Sequence, residues 1–490
     1  MTKLDSNSIN SRVAIIGGGI SGLSAAFYLH RLAPERRFVL FESSGRIGGV
    51  IETLQIDDSI IELGADNFAT LVPDALQLSR DAGLEDALIR PNLDHRLARV
   101  VVDGKVHPIP NGFSLMQPTR LDAILKSPVL SWSGKLRMLA EFFVPARRDP
   151  SDESLESFAR RRLGREAFER LVEPIVGGIF TAKAETLSMQ AAMPQFVEME
   201  RQYGGLIRGH LAKKRDQSPS SQSARQASGA RYDQFYAPKL GMQSWLDQIA
   251  SKLPPESIQR MTRVESIEQI DFQQWRIKTD GGDKNSETQA DDRSVFGAVI
   301  VALPANPASI LFSSVSPILQ NELQSIAYAD SAVVAMLVNR NEVDPKLLCF
   351  GIVVPQREHR DTLAISFTSE KYPGRTSSDK ILLRIFMGGA VRPELMAESD
   401  SRLFEKAFHD AQQLIGLRTR PSWCRVIRWP AAMPQYHVGH LDRLARIDTE
   451  LEAFPNLALA GNAYRGVGIP QCVRSGSQAA ERIVAYLGAT

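Results

Sequence analysis

The stretch "VAIIGGGISGLSAAFYLHRLAPERRFVLFE", Val13 to Glu42, constrains this chain more than any other. Val13-Ala14-Ile15-Ile16 is a short, mostly β-branched apolar run stopped by glycine, the pattern of a strand buried on both faces of a parallel sheet. Gly22 to His30 reads as a helix, with Leu23, Phe27 and Tyr28 near helical spacing, and Phe38–Phe41 reads as the next strand, closing on Glu42. Gly17 permits a tight turn, Gly19 lets the backbone approach a pyrophosphate, and Gly22 lets the helix pack on the strand. The free N–H groups of the helix N-terminus suit an anion, and Glu42 can accept from a ribose hydroxyl. A glycine-rich turn in another α/β fold is the competing reading. The strands, the helix and the acid at the expected distance weigh against it.

The glycine triplet does not separate NAD from FAD. Just beyond the acid, Arg46-Ile47-Gly48-Gly49 offers a cation and a second close backbone approach, useful for a longer pyrophosphate-to-flavin span. A loop that needs positive φ explains the same glycines. Flavoproteins commonly join a ribose acid to such a loop, so FAD leads. At the far end Leu457 to Gly461 reads as another strand running into glycine, followed by a loop to Pro470 and a helix from about Gln471 to Leu487. That helix N-terminus offers a second anion- or carbonyl-binding end. The nucleotide domain then closes only where the two chain ends meet.

A chain of 490 residues exceeds one ordinary core, so two or three domains are expected. A formal charge of +2 argues against a nucleic-acid binder that relies on a strong general field. Cys349, Cys424 and Cys472 are widely spaced, which excludes a disulfide framework or zinc ribbon and fits a reducing compartment. The first twelve residues carry no apolar signal-like core, and no apolar run approaches eighteen residues; neither a secretory signal nor a spanning helix is expected.

Four stretches together resemble the FAD-dependent porphyrinogen oxidases, protoporphyrinogen oxidase and its bacterial coproporphyrinogen-oxidising relatives, within the amine-oxidase-like flavoprotein superfamily. They are "GGGISGLSAAFYL…FESSGRIGG", "EPIVGGIFTAKAETLSMQAAMPQF", "RWPAAMPQYHVGHL" and "AGNAYRGVGIPQC". The first belongs to the whole superfamily; the second and third are narrower. The resemblance implies that Gly17, Gly18, Gly19, Ile20, Ser21, Gly22, Glu42, Ser43, Arg46, Gly49 and Val50 hold the ADP half of a non-covalent FAD. It places Gly64, Ala65, Asp66 and Asn67 beside the flavin, Val264 at the adenine through its backbone, and Trp429, Val467, Gly468 and Ile469 near the isoalloxazine. For Trp429 an ordinary core anchor is the alternative.

The implied activity is oxidation of protoporphyrinogen IX or coproporphyrinogen III to the porphyrin by three two-electron dehydrogenations, with molecular oxygen as acceptor, in haem biosynthesis. Hydride loss from a methylene bridge leaves a cation delocalised over two pyrroles, so no strong side-chain base is needed. Such a substrate is an apolar disc with propionates at one edge. It calls for an apolar slot plus rim arginine, and Arg99 and Gly178 are the candidates that the resemblance supplies. A solvated strand arginine and a glycine serving only helix or turn geometry are the bland alternatives. His437 and His440 lie three apart without an evident third ligand, so no metal site is expected.

The expected fold is α/β: a Rossmann-like FAD domain from residues 1–92, 235–303 and 428–490, a helical domain at 93–215, a flexible insertion at 216–234 and a mixed-sheet substrate domain at 304–427. Residues 121–148 mix Trp132, Phe142 and Phe143 with Lys126, Lys135, Arg137, Arg147 and Arg148. They read as a core-facing helix pair or as a surface for peripheral membrane contact in an otherwise cytoplasmic protein. Monomer and homodimer both stay open. Two other readings stand beside the lead: an amine oxidase or polyene desaturase of the superfamily, and a non-enzymatic prenyl-binding escort protein of the same architecture.

Overall fold

The run Val13–Ile16 forms the central strand of a five-stranded parallel sheet, flanked by Phe38–Phe41 and Ile258–Gln259 on one side and by Ala298–Val301 and Leu457–Leu459 on the other. The computed structural model describes residues 12–92, 94, 96–215, 234–280 and 294–489. Alternation along these strands divides two cores. Val13, Ile15, Leu40, Ala298 and Ile300 pack under the helices Ile20–Leu32, Met242–Ala250 and Ile469–Ala489. Ala14, Ile16, Val39, Phe41, Val299 and Val301 face the small antiparallel sheet of Val264–Asp271, Gln274–Thr279 and Val295–Phe296, together with the helices Ala305–Leu311, Pro317–Gln324 and His440–Leu451. Cover on both faces is why each strand reads as unbroken apolar sequence.

Both terminal helices run longer than the sequence suggests. The first begins at Ile20, with Gly19 as its N-cap, because the first-turn amides need no helical partner. The last begins at Ile469; Pro470 fits its first turn, where a missing N–H is harmless.

A seven-stranded mixed sheet forms the second layer, in the spatial order Trp423–Pro434, Tyr328–Asn339, Lys380–Gly388, Thr362–Phe367, Gly351–Val353, Ala98–Val102 and Lys105–Pro108. One face packs on the helix Asp400–Ile415. The other covers Ile61 and Leu63 with Val333, Ala335, Leu337, Leu382 and Ile427. Strand Trp423–Pro434 runs straight across residue 428, and the Ala98–Pro108 hairpin joins this sheet by pairing Ile352 with Arg99. The expected 427/428 boundary thus falls inside a strand, and a hairpin expected with the helical segment pairs into the mixed sheet instead. The rest of residues 113–215 is mainly helical around one core that includes Phe158, Leu171, Val176, Phe180 and Phe196. The insertion expected at 216–234 lies outside the described residues except for Gln234.

Candidate functional site

The glycines of the first turn divide by what a side chain would meet. A Cβ at Gly17, whose φ is +106°, would stand 2.5 Å from the Ala302 carbonyl oxygen, and one at Gly22 would overlap the Gly17 carbonyl oxygen. At Gly19 a Cβ would meet nothing within 4 Å. Gly17 and Gly22 thus close the strand–turn–helix unit, while Gly19 borders open space beside a helix N-terminus with no side-chain cap and no acid in its first turn. Bare amides around a clear backbone fit a pyrophosphate.

Glu42 is buried and accepts from Gly18 N–H at 2.8 Å and Ser44 N–H at 2.7 Å. Its remaining lone pairs can serve a ribose; Ser43, expected at the ADP half, is exposed beside it. Thr262 N–H reaches the Glu42 carbonyl at 2.9 Å, which brings the strand beginning at Val264 alongside. Gly48 N–H donates to Gly18 O at 2.8 Å, so the second glycine loop lies on the first. Gly48 and Gly49 have φ of +133° and +60°, so positive φ and close approach both apply. Arg46, expected to offer its cation to the ligand, is part-exposed and turns part of its guanidinium onto its own loop. Its guanidinium donates to Gly49 O at 2.6 Å and Ile51 O at 2.7 Å, and pairs with Glu52 at 3.1 Å. It shapes the loop, which leaves Val50 exposed.

The segment Glu62–Asn67 is clamped to the seven-stranded sheet. A Cβ at Gly64 would overlap the Val50 carbonyl oxygen, and the Gly64 carbonyl accepts from Arg384. Asp66 pairs with Lys371 at 3.3 Å and Arg384 at 3.6 Å. Burial pushes its carboxyl up, but these cations outweigh it and hold the group below the usual range. Asn67 donates to Asp66 at 2.8 Å, and Ala65 is exposed. Trp429 is half-buried and donates its indole N–H to Leu63 O at 3.0 Å, so it anchors this segment as well as bordering it.

The two terminal helices lie side by side in parallel. Gly476 makes this possible, because a Cβ there would overlap Ser21 O and stand 2.9 Å from Ala25 N. Both N-termini therefore open the same way, with Ile20, Ser21, Val467, Gly468 and Ile469 at that end. The Cys472 thiol is buried, which pushes its pKa up to about 11 despite a hydrogen bond with Ser21, so it is not a thiolate. Val467 packs against the helical core to which Val176 and Phe180 of the helix Glu173–Phe180 also belong. That helix ends beside the sheet: Ala390 N–H donates to Thr181 O at 2.8 Å, and Gly388 is in register with Ser331, which pairs with Trp429.

Gly178 is exposed on this helix, with nothing within 4 Å of a Cβ and no positive φ. Neither helix geometry nor internal packing demands a glycine there. Glu173, one turn below Gly177, is buried and accepts from Gln356 N–H at 3.1 Å. Burial pushes its pKa up to about 7, with Glu185 and Glu169 adding to the rise. Arg99 is not brought to Gly178. Val100 and Val102 point into the helical core, so by strand alternation Arg99 lies on the opposite face, where it donates to Lys346 O at 2.6 Å. Among the described residues no cluster could hold a metal ion.

Sequence reasoning missed Ser44, Gly476, Arg384 and Lys371. "RSGS" in the last helix was the one visible signal, a glycine inside an otherwise good helix.

Residues 20–484 match the family model described as flavin containing amine oxidoreductase. A coproporphyrinogen III oxidase of Bacillus subtilis is 31% identical over 97% of this chain and 98% of its own length. The protoporphyrinogen oxidase 2 of Arabidopsis thaliana is 26% identical over 97% and 94% of the two chains. A solved structure from Exiguobacterium sp. 255-15, named provisionally as a protoporphyrinogen oxidase, superposes with a TM-score of 0.83 at 28% identity, covering 97% of this chain and 99% of that one.

Proposed function

The chain belongs to the family of flavin-containing amine oxidoreductases, and on that premise we propose that it oxidises a porphyrinogen to the porphyrin with non-covalently bound FAD and oxygen. The substrate is protoporphyrinogen IX or coproporphyrinogen III, the reaction three successive two-electron dehydrogenations, and the setting haem biosynthesis. The observation that carries this reading is the open side of Gly178 and Ile179 on a helix that shares its apolar core with Val467 and ends beside the sheet that carries Trp429. A flat macrocycle needs such a clear wall. The full-length likeness to relatives named for porphyrinogens supports it.

When bound, the flavin supplies the acceptor for a hydride from a methylene bridge. The chain places that methylene and keeps water out. Ile20, Ser21 and Gly22 would offer amides to the pyrophosphate, Glu42 would accept from the ribose, and the last helix would offer a second N-terminus to the ring. Loss of hydride leaves a cation over two pyrroles, whose N–H is acidified, so no activated base is required. Cys472 is buried and held as a thiol, which supports a non-covalent cofactor.

Strongly exposed Trp132, Leu136 and Phe143 lie on and just after the helix Trp132–Leu139, with Lys135 Nζ 4.5 Å from the Trp132 ring and Arg208 over Phe142. This apolar surface suits peripheral contact with an anionic bilayer, with Arg208 supplying exposed charge while Lys135 is itself buried. Flotation with anionic vesicles that disappears in Trp132→Asp/Phe143→Asp supports it; unchanged flotation overturns it.

The functional test is aerobic turnover of both porphyrinogens, followed by porphyrin fluorescence and peroxide release. Porphyrin from either substrate is the expected result. Oxidation of amines with neither porphyrinogen consumed would overturn the reading.

A further inference from the structure

The segment Gln435–His440 ties three parts of the molecule together. Gln435 N–H donates to Ala327 O at 2.8 Å, Ser188 N–H donates to Tyr436 O at 2.7 Å, and Val438 N–H donates to Thr186 O at 3.0 Å. From this anchored backbone the Tyr436 side chain, 1% exposed, turns to the loop at 461–468. Its hydroxyl donates to Asn462 O and accepts Gly466 N–H at 2.8 Å. The ring stacks on His440 with centres 4.1 Å apart and planes 13° from parallel.

His440 Nε2 lies 2.8 Å from Tyr464 O, and the ring is fully buried. Burial, with Arg443, Arg465 and His437 nearby, lowers its pKa to about 4, so the imidazole is neutral with Nε2 as the donor. Its Nδ1 is buried without a hydrogen-bond partner. Two stacked rings thus hold Asn462 O, Tyr464 O and Gly466 N–H, every second residue of the loop. Gly461 and Gly466 have φ of +144° and +127°, so the loop has little stiffness of its own.

We infer that Tyr436 and His440 are positioning residues that fix the loop at 461–468 so that it presents Val467, Gly468 and the last helix to the flavin. The inference rests on the proposed placement of the flavin at that loop. It explains why a tyrosine and a histidine four residues apart, neither able to reach a substrate from inside the core, sit behind this loop.

The test uses holoenzyme. Tyr436→Phe keeps the ring and the stack while removing both loop hydrogen bonds. It should speed FAD dissociation about tenfold or more and shift the visible flavin band. Tyr328→Phe removes a half-buried hydroxyl that lies near Tyr436 and Tyr464 but accepts Ala305 N–H at 2.8 Å and holds no loop backbone group, so it should do neither. His440→Phe, which keeps a stacked ring without the Tyr464 bond, reads the same loop if Tyr436→Phe does not fold. Val467→Ala reports whether the loop borders the flavin at all. A band shift in Val467→Ala without one in Tyr436→Phe overturns the clamp and leaves the flavin placement standing. No shift in either overturns both. Equal effects from Tyr328→Phe and Tyr436→Phe would reduce Tyr436 to general packing and overturn the inference.

Discussion

Two glycine-bearing segments of this molecule look alike in sequence and differ in cause. In the first, Gly17 and Gly22 are demanded by the chain itself, since a Cβ at either would strike the Ala302 or Gly17 carbonyl. In the helix Glu173–Phe180, Gly177 and Gly178 stand in ordinary helical backbone with room for a side chain. Glycine in a helix costs about 1 kcal/mol relative to alanine. A chain that tolerates this without an internal reason points to something outside the chain that needs the space. The contrast separates glycines that build a site from glycines that keep one clear.

The largest effect expected from this contrast is at Gly22. Gly22→Ala must separate the helix from the Gly17 carbonyl, and should lower stability by about 3 kcal/mol while abolishing flavin retention. A flavin-to-protein ratio equal to wild type would break the distinction. Gly178→Leu should do the opposite. Turnover of the porphyrinogen should fall about a hundredfold through displacement of the substrate. Flavin content should be unchanged, and the melting temperature equal or slightly higher, because leucine is the better helix former. Early melting with loss of flavin would make Gly178 structural; normal turnover would place the disc elsewhere.

Glu173 sharpens the comparison through pH. Its folded pKa, raised by burial to about 7, lies above the unfolded value of 4.5. Its contribution to stability is therefore complete below 4.5 and is lost as the pH rises through 7. Glu173→Gln keeps the acceptor for Gln356 N–H and removes the titration. The variant should be more stable than wild type by about 2 kcal/mol at pH 8 and equal to it near pH 4. Parallel unfolding free energies across that range would show that the carboxyl is not held neutral. The smallest effect belongs to Gly177→Ala. Its Cβ would rest 3.7 Å from Glu173 Oε1, an ordinary contact, so stability should rise by about 0.5 kcal/mol, read from the denaturation midpoint. A loss of stability there would mean that the glycine pair is structural after all.

Much of the nucleotide end was legible because its determinants are local. Strand, turn, helix and acid follow one another within Val13–Glu42, and each leaves its own pattern of periodicity and glycine. Arg99 was not legible: which face of a strand a residue occupies depends on what covers that face, and here the helical region covers Val100 and Val102. The contacts of Arg46 with Gly49, Ile51 and Glu52 lie within six residues, yet they form only because the Gly48–Gly49 turn folds the loop back onto the guanidinium. The clamp of Arg384 on Gly64 joins residues 320 positions apart, and the approach of Gly476 to Ser21 joins the two ends of the chain.

The sequence by itself determined the dinucleotide-binding unit, the flavin class and the family, because short-range sterics and spacing are written in consecutive residues. Only the tertiary structure decided which glycines are obligatory, which arginine is engaged and which rings hold the flavin loop. Most of those properties arise when distant backbones come within a few ångströms of each other; where the partners are near in sequence, as at Gly22 and Arg46, it is the path of the folded chain that brings them together.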